Sequence, residues 1–398
     1  MADEQKKKDA GEQKKEETTA LMLEVEHTLS SDYQVLNMTK VLNFIASADP
    51  NPITSEKVTC GDLPVIPRKD IKTSVYLTLD PDIKLTVMLN RFDKAVFDAF
   101  CTFLDQAHRP HPVFTPEIIA RKLYGCDDQP HVRFSDKQIA EVIRSCDSML
   151  PVLAKIECTS ELVARGVIGP NDRMTLQGHL LPVEKITYEK DGIKTIAGNH
   201  KEVHIGYRVT STPIVYSYAK ITGQLATIPA ALYRGGDVSN TSENVVLRRY
   251  LMERIAAMKN PHNRQWSFNI SYEYWVYEED KTQIREDGSY PRTKVLKGML
   301  VTLGYKASDY DDPRKWAKKR SKIHRSVCAI LKAFQDNDYI KGYTIEYDKL
   351  KSPGRKKIGG VRIILNDSDM AEIEKVKARR QKAAAKKKAA RKKKEAHT

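Results

Sequence analysis

Residues 311–334 read DDPRKWAKKRSKIHRSVCAILKAF and predict one long amphipathic helix. Asp312 carries a side-chain acceptor suited to the cap, and Pro313 suits the first helical position, where no backbone donor is needed. At about 100° per residue, Trp316, Ile323, Val327, Ile330, Leu331 and Phe334 share one face. Arg314, Lys315, Lys318, Lys322 and Arg325 fall on the opposite face. Lys319 lies at the border, and Arg320 points towards the apolar side, which the pattern does not explain. A solvated surface helix usually mixes the two signs of charge, but no acid stands between Pro313 and Gln335. A helix with one core stripe and one cationic stripe suits the major groove of DNA, which is flanked by phosphates.

The flanking sequence turns this helix into a domain. Tyr339–Tyr347 and Val361–Leu365 have strand character, and the loop 349–360, KLKSPGRKKIGG, joins them. Pro353-Gly354 forces a turn there, surrounded by Lys349, Lys351, Arg355, Lys356 and Lys357. Such a loop on its own is as readily a solubilising one; next to the basic helix it predicts a wing against a DNA backbone or minor groove. Upstream, Val245–Met258 predicts a helix, Trp266–Tyr277 a strand and Thr293–Leu303 a second helix. Helix, strand, helix, helix, strand, loop, strand over 236–367 is the order of a winged helix. The predicted DNA-binding set is Arg314, Lys315, Lys318, Lys319, Lys322, Arg325, Lys351, Arg355, Lys356 and Lys357.

A similar order precedes it over 71–235. Ser74–Leu79 and Ile83–Met88 predict strands around the turn Asp80-Pro81-Asp82. Three helices follow: one capped by Asn90 with Phe92, Val96, Phe100 and Phe103 on a face, one opened by Thr115-Pro116, and one opened by the capping box Ser135–Gln138. Strands near 152–158, 177–188 and 203–209 come next, with Lys190-Asp191-Gly192 as a hairpin tip. The third helix offers only Lys137 and Arg144, so packing or dimerisation is its expected role. Arg91, Lys94, Arg121 and Lys122 are candidates for backbone phosphates. The fold class is therefore α+β, with two tandem winged-helix domains.

The ends differ from this body. Residues 1–18 are charged with nothing to bury, and predict disorder. Residues 19–70 predict a helical extension, in two helices up to Ile45, then a Pro-rich linker. The tail 368–398 is Lys/Ala-rich and predicts a basic helix that adds non-specific affinity. The chain carries 67 Lys plus Arg against 52 Asp plus Glu, a net +15, and a balance that basic points to a polyanionic partner. Residues 371–398 supply 12 cations and 3 acids of that total, so specific binding in the body has to come from local clustering. No apolar run is long enough for a membrane span, and the six scattered Cys fit a reducing, cytoplasmic setting. No phosphate-binding loop and no metal-ligand spacing is present, so neither an enzyme nor a cofactor is expected. Tyr216, four residues before Lys220, is the one candidate for a strand-nicking nucleophile, and it lacks the His pair such enzymes need.

Two further stretches, HLLPVEK over 179–185 and TPIVYSYAK over 212–220, complete a resemblance. The layout resembles plasmid replication initiators of the tandem winged-helix type that bind origin repeats. The likeness spans roughly 75–365 and rests on layout and short stretches; the N-terminal helices and the Lys/Ala tail depart from it. It implies that the second winged helix reads a double-stranded DNA repeat. The first would mediate a homodimer, and host replication proteins would be recruited. A transcriptional regulator on a palindrome and an RNA-binding protein using the basic tail remain alternatives.

Overall fold

The computed structural model describes residues 32–47, 49–66, 70–129, 131–195, 198–234, 238–260, 265–279, 290–348 and 357–372, with seven further positions between 374 and 382. Over 189–204 it describes the backbone alone. The architecture is mixed α+β, in two compact units, Met1–Arg234 and Gly235–Thr398.

The first unit is built around the helix Arg91–Gln106, nearly all of whose side chains are buried. A capping box fixes its start: Asn90 accepts from Phe92 N and Asp93 N, and the Asp93 carboxylate accepts from Asn90 N at 2.7 Å. On the apolar side Phe100 and Phe103 each meet Phe114 at 5.3 Å between ring centroids, and Phe114 stacks on Tyr207. The polar side is buried because the strand Tyr33–Asn37 lies against it. Val35 N donates to Thr102 Oγ1 at 2.9 Å, Asn37 N to Asp98 Oδ1 at 3.1 Å, and Gln106 Nε2 to Tyr33 O at 2.9 Å.

That packing corrects the helical extension expected over 19–70. Residues 33–37 form a strand paired antiparallel with Leu225–Pro229, and among the described residues of the extension only Lys40–Ile45 is helical. A short run buried on both sides has no period of its own, so Val35-Leu36 fits either element. The expected linker holds the strand Thr59–Ile66, at the edge of a four-stranded antiparallel sheet with Ile71–Leu79, Val152–Glu157 and Thr175–His179. The segment 83–88 is not a strand; Val87 makes a single bridge to Ile53. The part of the extension before residue 32 lies outside the described residues.

Two more helices start where their caps predict. Pro116–Tyr124 ends at Gly125, whose φ of 65° and close approach to the Tyr233–Arg234 backbone admit no side chain. Asp136–Met149 opens with the Ser135–Gln138 box. Beside them lies an antiparallel sheet of Val113–Phe114, Val183–Thr195 and Gly198–Val209, with the third strand in the middle. The pairing of its last two strands runs on to Thr195 opposite Gly198, beyond the expected Lys190–Gly192 tip. The stretch 179–185 runs out of one strand into the next, and Ile214–Ile221 is a short helix.

The second unit repeats that order with a different insertion. The helix Ser242–Lys259, capped by Thr241, leads to the strand Ser267–Ser271. A two-stranded ribbon, Tyr274–Glu279 against Arg292–Lys297, intervenes before the short helix Met299–Thr302. The long helix Pro313–Asp336 follows, then the strands Gly342–Tyr347 and Ile358–Ile364. The three-stranded sheet is again antiparallel with its last strand central, between 267–271 and 342–347. Two expectations change here. Trp266–Tyr277 is broken at the buried Tyr272 into strands of different sheets, and Thr293–Leu303 is mainly a ribbon strand. Its strand state comes from pairing with Tyr274–Glu279, of which its own pattern carries no sign. Among the described residues, no helix is long and apolar enough to cross a membrane.

Candidate nucleic-acid interface

The helix Pro313–Asp336 begins as its sequence predicts: Asp312 Oδ1 accepts from Arg314 N at 2.8 Å, and Pro313 occupies the first turn. Its buried stripe is Arg320, Ile323, Val327, Ile330, Leu331 and Phe334. Trp316, at the outer end of that stripe, is only half-buried and packs against Tyr310 at 5.3 Å. Arg320 is thereby explained. Its Nη2 donates to Ile358 O at 2.6 Å and its Nη1 stands 3.6 Å from Glu273, so it fastens the helix to the central strand of the sheet. His324 also faces inward, with its Nδ1 2.6 Å from the Tyr272 hydroxyl. Burial, aided by the charge of Arg320, lowers the His324 pKa and so favours the neutral ring.

The opposite side carries the cations. Arg314, Lys315, Lys318, Lys322 and Arg325 are exposed. Arg314, Lys315, Lys318 and Arg325 make no ion pair among the described residues. The stripe from 314 to 325 is roughly 16 Å long at 1.5 Å per residue. Lys319 stands apart. It donates to Glu243, at the start of the helix Ser242–Lys259, and lies 5.1 Å over the Tyr305 ring. Lys322 approaches the same carboxylate at 3.6 Å but is 65% exposed. Tyr305 OH also donates to Glu243, at 2.7 Å. Burial opposes ionisation of Glu243, but the hydrogen bonds from Lys319 and Tyr305 and the nearby lysine charges outweigh it and hold its pKa low. Sequence spacing gave no sign of Glu243 or Tyr305, because both come from other elements.

Of the expected wing, the loop between Gly342–Tyr347 and Ile358–Ile364, the base is described. Asp348 N donates to Lys357 O at 2.9 Å, and Lys357 is exposed. Lys351, Arg355 and Lys356 lie outside the described residues, as does the tail from 383 onward.

The basic residues of the first unit are placed differently. Arg144 pairs with the fully buried Asp93 at 2.6 Å. Lys122 is buried and donates to Gln106 Oε1 at 2.7 Å and Asp127 at 3.0 Å, while Lys94, also buried, donates to Asn43. Burial lowers the Lys122 pKa against the pull of Asp127. Arg121 donates to the carbonyl of Gln129 at 2.9 Å. Lys94, Lys122 and Arg144 thus hold the unit together, contrary to the phosphate role expected for the first two. Lys137 alone of the pair on the third helix is exposed and without an ion pair among the described residues. Tyr216 is buried too, and its hydroxyl donates to Asp105 Oδ1 at 2.5 Å, which raises its pKa further beyond that of a free phenol.

No protein-family model matches the chain, and no curated protein matches it. Among solved structures, the chain overlaps domains 2 and 3 of RctB. One structure gives 11% identity and a TM-score of 0.39, covering 81% of this chain and 98% of that one. A second gives 8% identity and a TM-score of 0.41, covering 81% and 96%. Neither overlap reaches the level at which two folds correspond.

Proposed function

We propose that the second unit is a winged-helix domain that reads double-stranded DNA, and that the first is a second winged helix devoted mainly to assembly. The observation that carries this reading is the exposed, acid-free cationic stripe on Pro313–Asp336, backed by an apolar stripe seated on a three-stranded sheet. The connectivity supports it: apart from the inserted ribbon Tyr274–Glu279/Arg292–Lys297, the order is helix, strand, helix, helix, strand, strand, with the last strand central in the sheet. A helix of this form lays its N-terminal turns deepest in the major groove. Lys315, Lys318 and Lys322 then face base edges. Arg314, Arg325 and Lys357 reach phosphates, with Lys351, Arg355 and Lys356 extending the same line. Lys319 joins them only where Glu243 releases it.

The protein in this reading is a sequence-specific DNA-binding replication initiator rather than an enzyme, acting in the cytoplasm without a cofactor. It binds origin repeats of a plasmid or mobile element, pairs as a homodimer through the first unit, and recruits host replication proteins. The two domains in tandem, with the stretches 179–185 and 212–220 at the end of the first, favour initiation over transcriptional control. The engagement of Tyr216 with Asp105 counts against a nicking role.

The test is a salt titration of single variants on selected and random duplexes. Lys318→Ala should weaken binding to the selected duplex by about 1–3 kcal/mol and relax preference at one position. Arg325→Ala should weaken both duplexes alike and flatten the salt slope by about one unit. If both variants bind with unchanged affinity and slope, the helix is a solvated surface and the reading is wrong.

A further inference from the structure

The ribbon Tyr274–Glu279/Arg292–Lys297 carries an exposed aromatic face that the duplex-reading helix does not account for. Side chains two apart on a strand share a face, and directly paired residues share it across the strands. One face therefore holds Trp275, Tyr277 and Glu279 with their partners Leu296, Lys294 and Arg292. Trp275 is 58% exposed and Tyr277 70%, an unusual state for large aromatic side chains in a folded domain. Lys294 Nζ sits 4.8 Å from the centroid of Trp275, and Arg292 is exposed one register position beyond Lys294 on that face. The other face carries Tyr274, 48% exposed, with Lys297 paired to Glu278. Among the described residues, no third strand joins this sheet.

We propose that this face is a stacking platform for single-stranded DNA, with Trp275 and Tyr277 each taking a base and Lys294 and Arg292 the phosphates between. The inference rests on the DNA-binding reading of the unit and extends it to a second state of the polymer. Three features select this occupant. Flat rings open to solvent offer π-faces to any base, and such stacking is tolerant of sequence. The two cations line the strand beside the two rings, Lys294 opposite Tyr277 and Arg292 one pair further on, a row of positive charge complementary to a backbone with one charge per nucleotide; Glu279 is the one acid on that face. Positions 275 and 277 are about 6.8 Å apart along the strand, at 3.4 Å per residue. That is twice the rise per base along a strand of duplex DNA, so bases seated on both rings are unstacked from one another.

The experiment measures the full chain binding labelled oligo(dT), oligo(U) and a selected duplex by fluorescence anisotropy. Trp275→Ala should lower oligo(dT) affinity about tenfold, within the range expected for loss of one stacked base, and Tyr277→Ala should lower it severalfold. Trp275→Phe, which keeps a π-face and serves as the folding control, should retain most of the affinity. None of the three should move duplex affinity by more than about twofold. Lys318→Ala should do the reverse, weakening duplex binding and sparing oligo(dT). The proposal is overturned if wild-type protein does not bind oligo(dT), or if Trp275→Ala binds it like wild type. It is also overturned if oligo(U) is preferred over oligo(dT), or if Trp275→Ala instead abolishes self-association in sedimentation. A loss of oligo(dT) binding in Trp275→Ala alongside an inert Lys318→Ala would leave the platform standing and remove the duplex reading alone.

Discussion

The two third helices, Asp136–Met149 and Pro313–Asp336, occupy the same place in the same connectivity and treat their charges in opposite ways. In the first unit acids hold two of the cations on these helices: Arg144, itself exposed, is tied to buried Asp93, and buried Lys122 on the preceding helix to Asp127, which leaves Lys137 as the exposed cation of the third helix without an ion pair among the described residues. Asp147, on the third helix, accepts from Tyr207 OH at 2.9 Å and Lys185 at 2.7 Å. In the second unit one arginine, Arg320, is spent on the interior, and one carboxylate, Glu243, holds the edge of the stripe, while four cations stay unpaired among the described residues. Shared connectivity fixes where a helix lies; the placement of acids around it decides what the helix can bind.

The contrast can be broken most forcefully at Arg320. If it belongs to the interior, Arg320→Ala should destabilise the second unit by about 3 kcal/mol, because Glu273 and Ile358 O lose their partner in a mostly buried site. Urea unfolding measures this. Loss of DNA binding with unchanged stability would move Arg320 to the outer face and erase the distinction.

A smaller effect sharpens the boundary of the stripe. Glu243→Gln should raise duplex affinity severalfold at low salt by freeing Lys319 and Lys322. The same carboxylate contributes to stability with a definite sign. Its folded pKa lies below its unfolded value, so the contribution is present above the ordinary carboxylate range and is lost as pH falls through the folded pKa. Wild type should therefore lose more stability than Glu243→Gln on acidification, as thermal unfolding across that range would reveal. Equal losses would show that Glu243 holds nothing.

The smallest effect is expected at Lys137→Ala, which should change duplex affinity by less than about twofold. A loss equal to that of Lys318→Ala would make the first unit a second reader and end the comparison.

Legibility in the sequence followed locality. The caps at Asn90, Ser135 and Asp312 and the first-turn Pro116, whose neighbour Thr115 makes no side-chain cap bond, mark real helix starts, because each acts within a turn of its own position. The cationic and apolar stripes of 313–336 were readable for the same reason, since a helical period is a local property. Residues 33–37, 59–66 and 292–297 depart from their expected states because each is a strand by virtue of its pairing, with Leu225–Pro229, Ile71–Leu79 and Tyr274–Glu279 respectively, and a segment's own period does not show its partner. Position 320 looked like an error in the stripe. Its reason, the carbonyl of Ile358 and the carboxylate of Glu273, comes from two other elements that no periodicity can anticipate.

The ribbon enters and leaves its unit at almost one point. Leu300 N donates to Tyr272 O at 3.1 Å, and a Cβ on Gly298, at φ 129°, would stand 2.4 Å from that same oxygen. Such a pinched neck makes the excursion detachable. Residues 274–297 can in principle be exchanged for a short turn or for a ribbon of another length, because the loop ends are already held together and added length costs little closure entropy. The ribbon and the long helix Pro313–Asp336 can then vary independently, one lengthened, shortened or deleted while the other keeps its seat on the sheet.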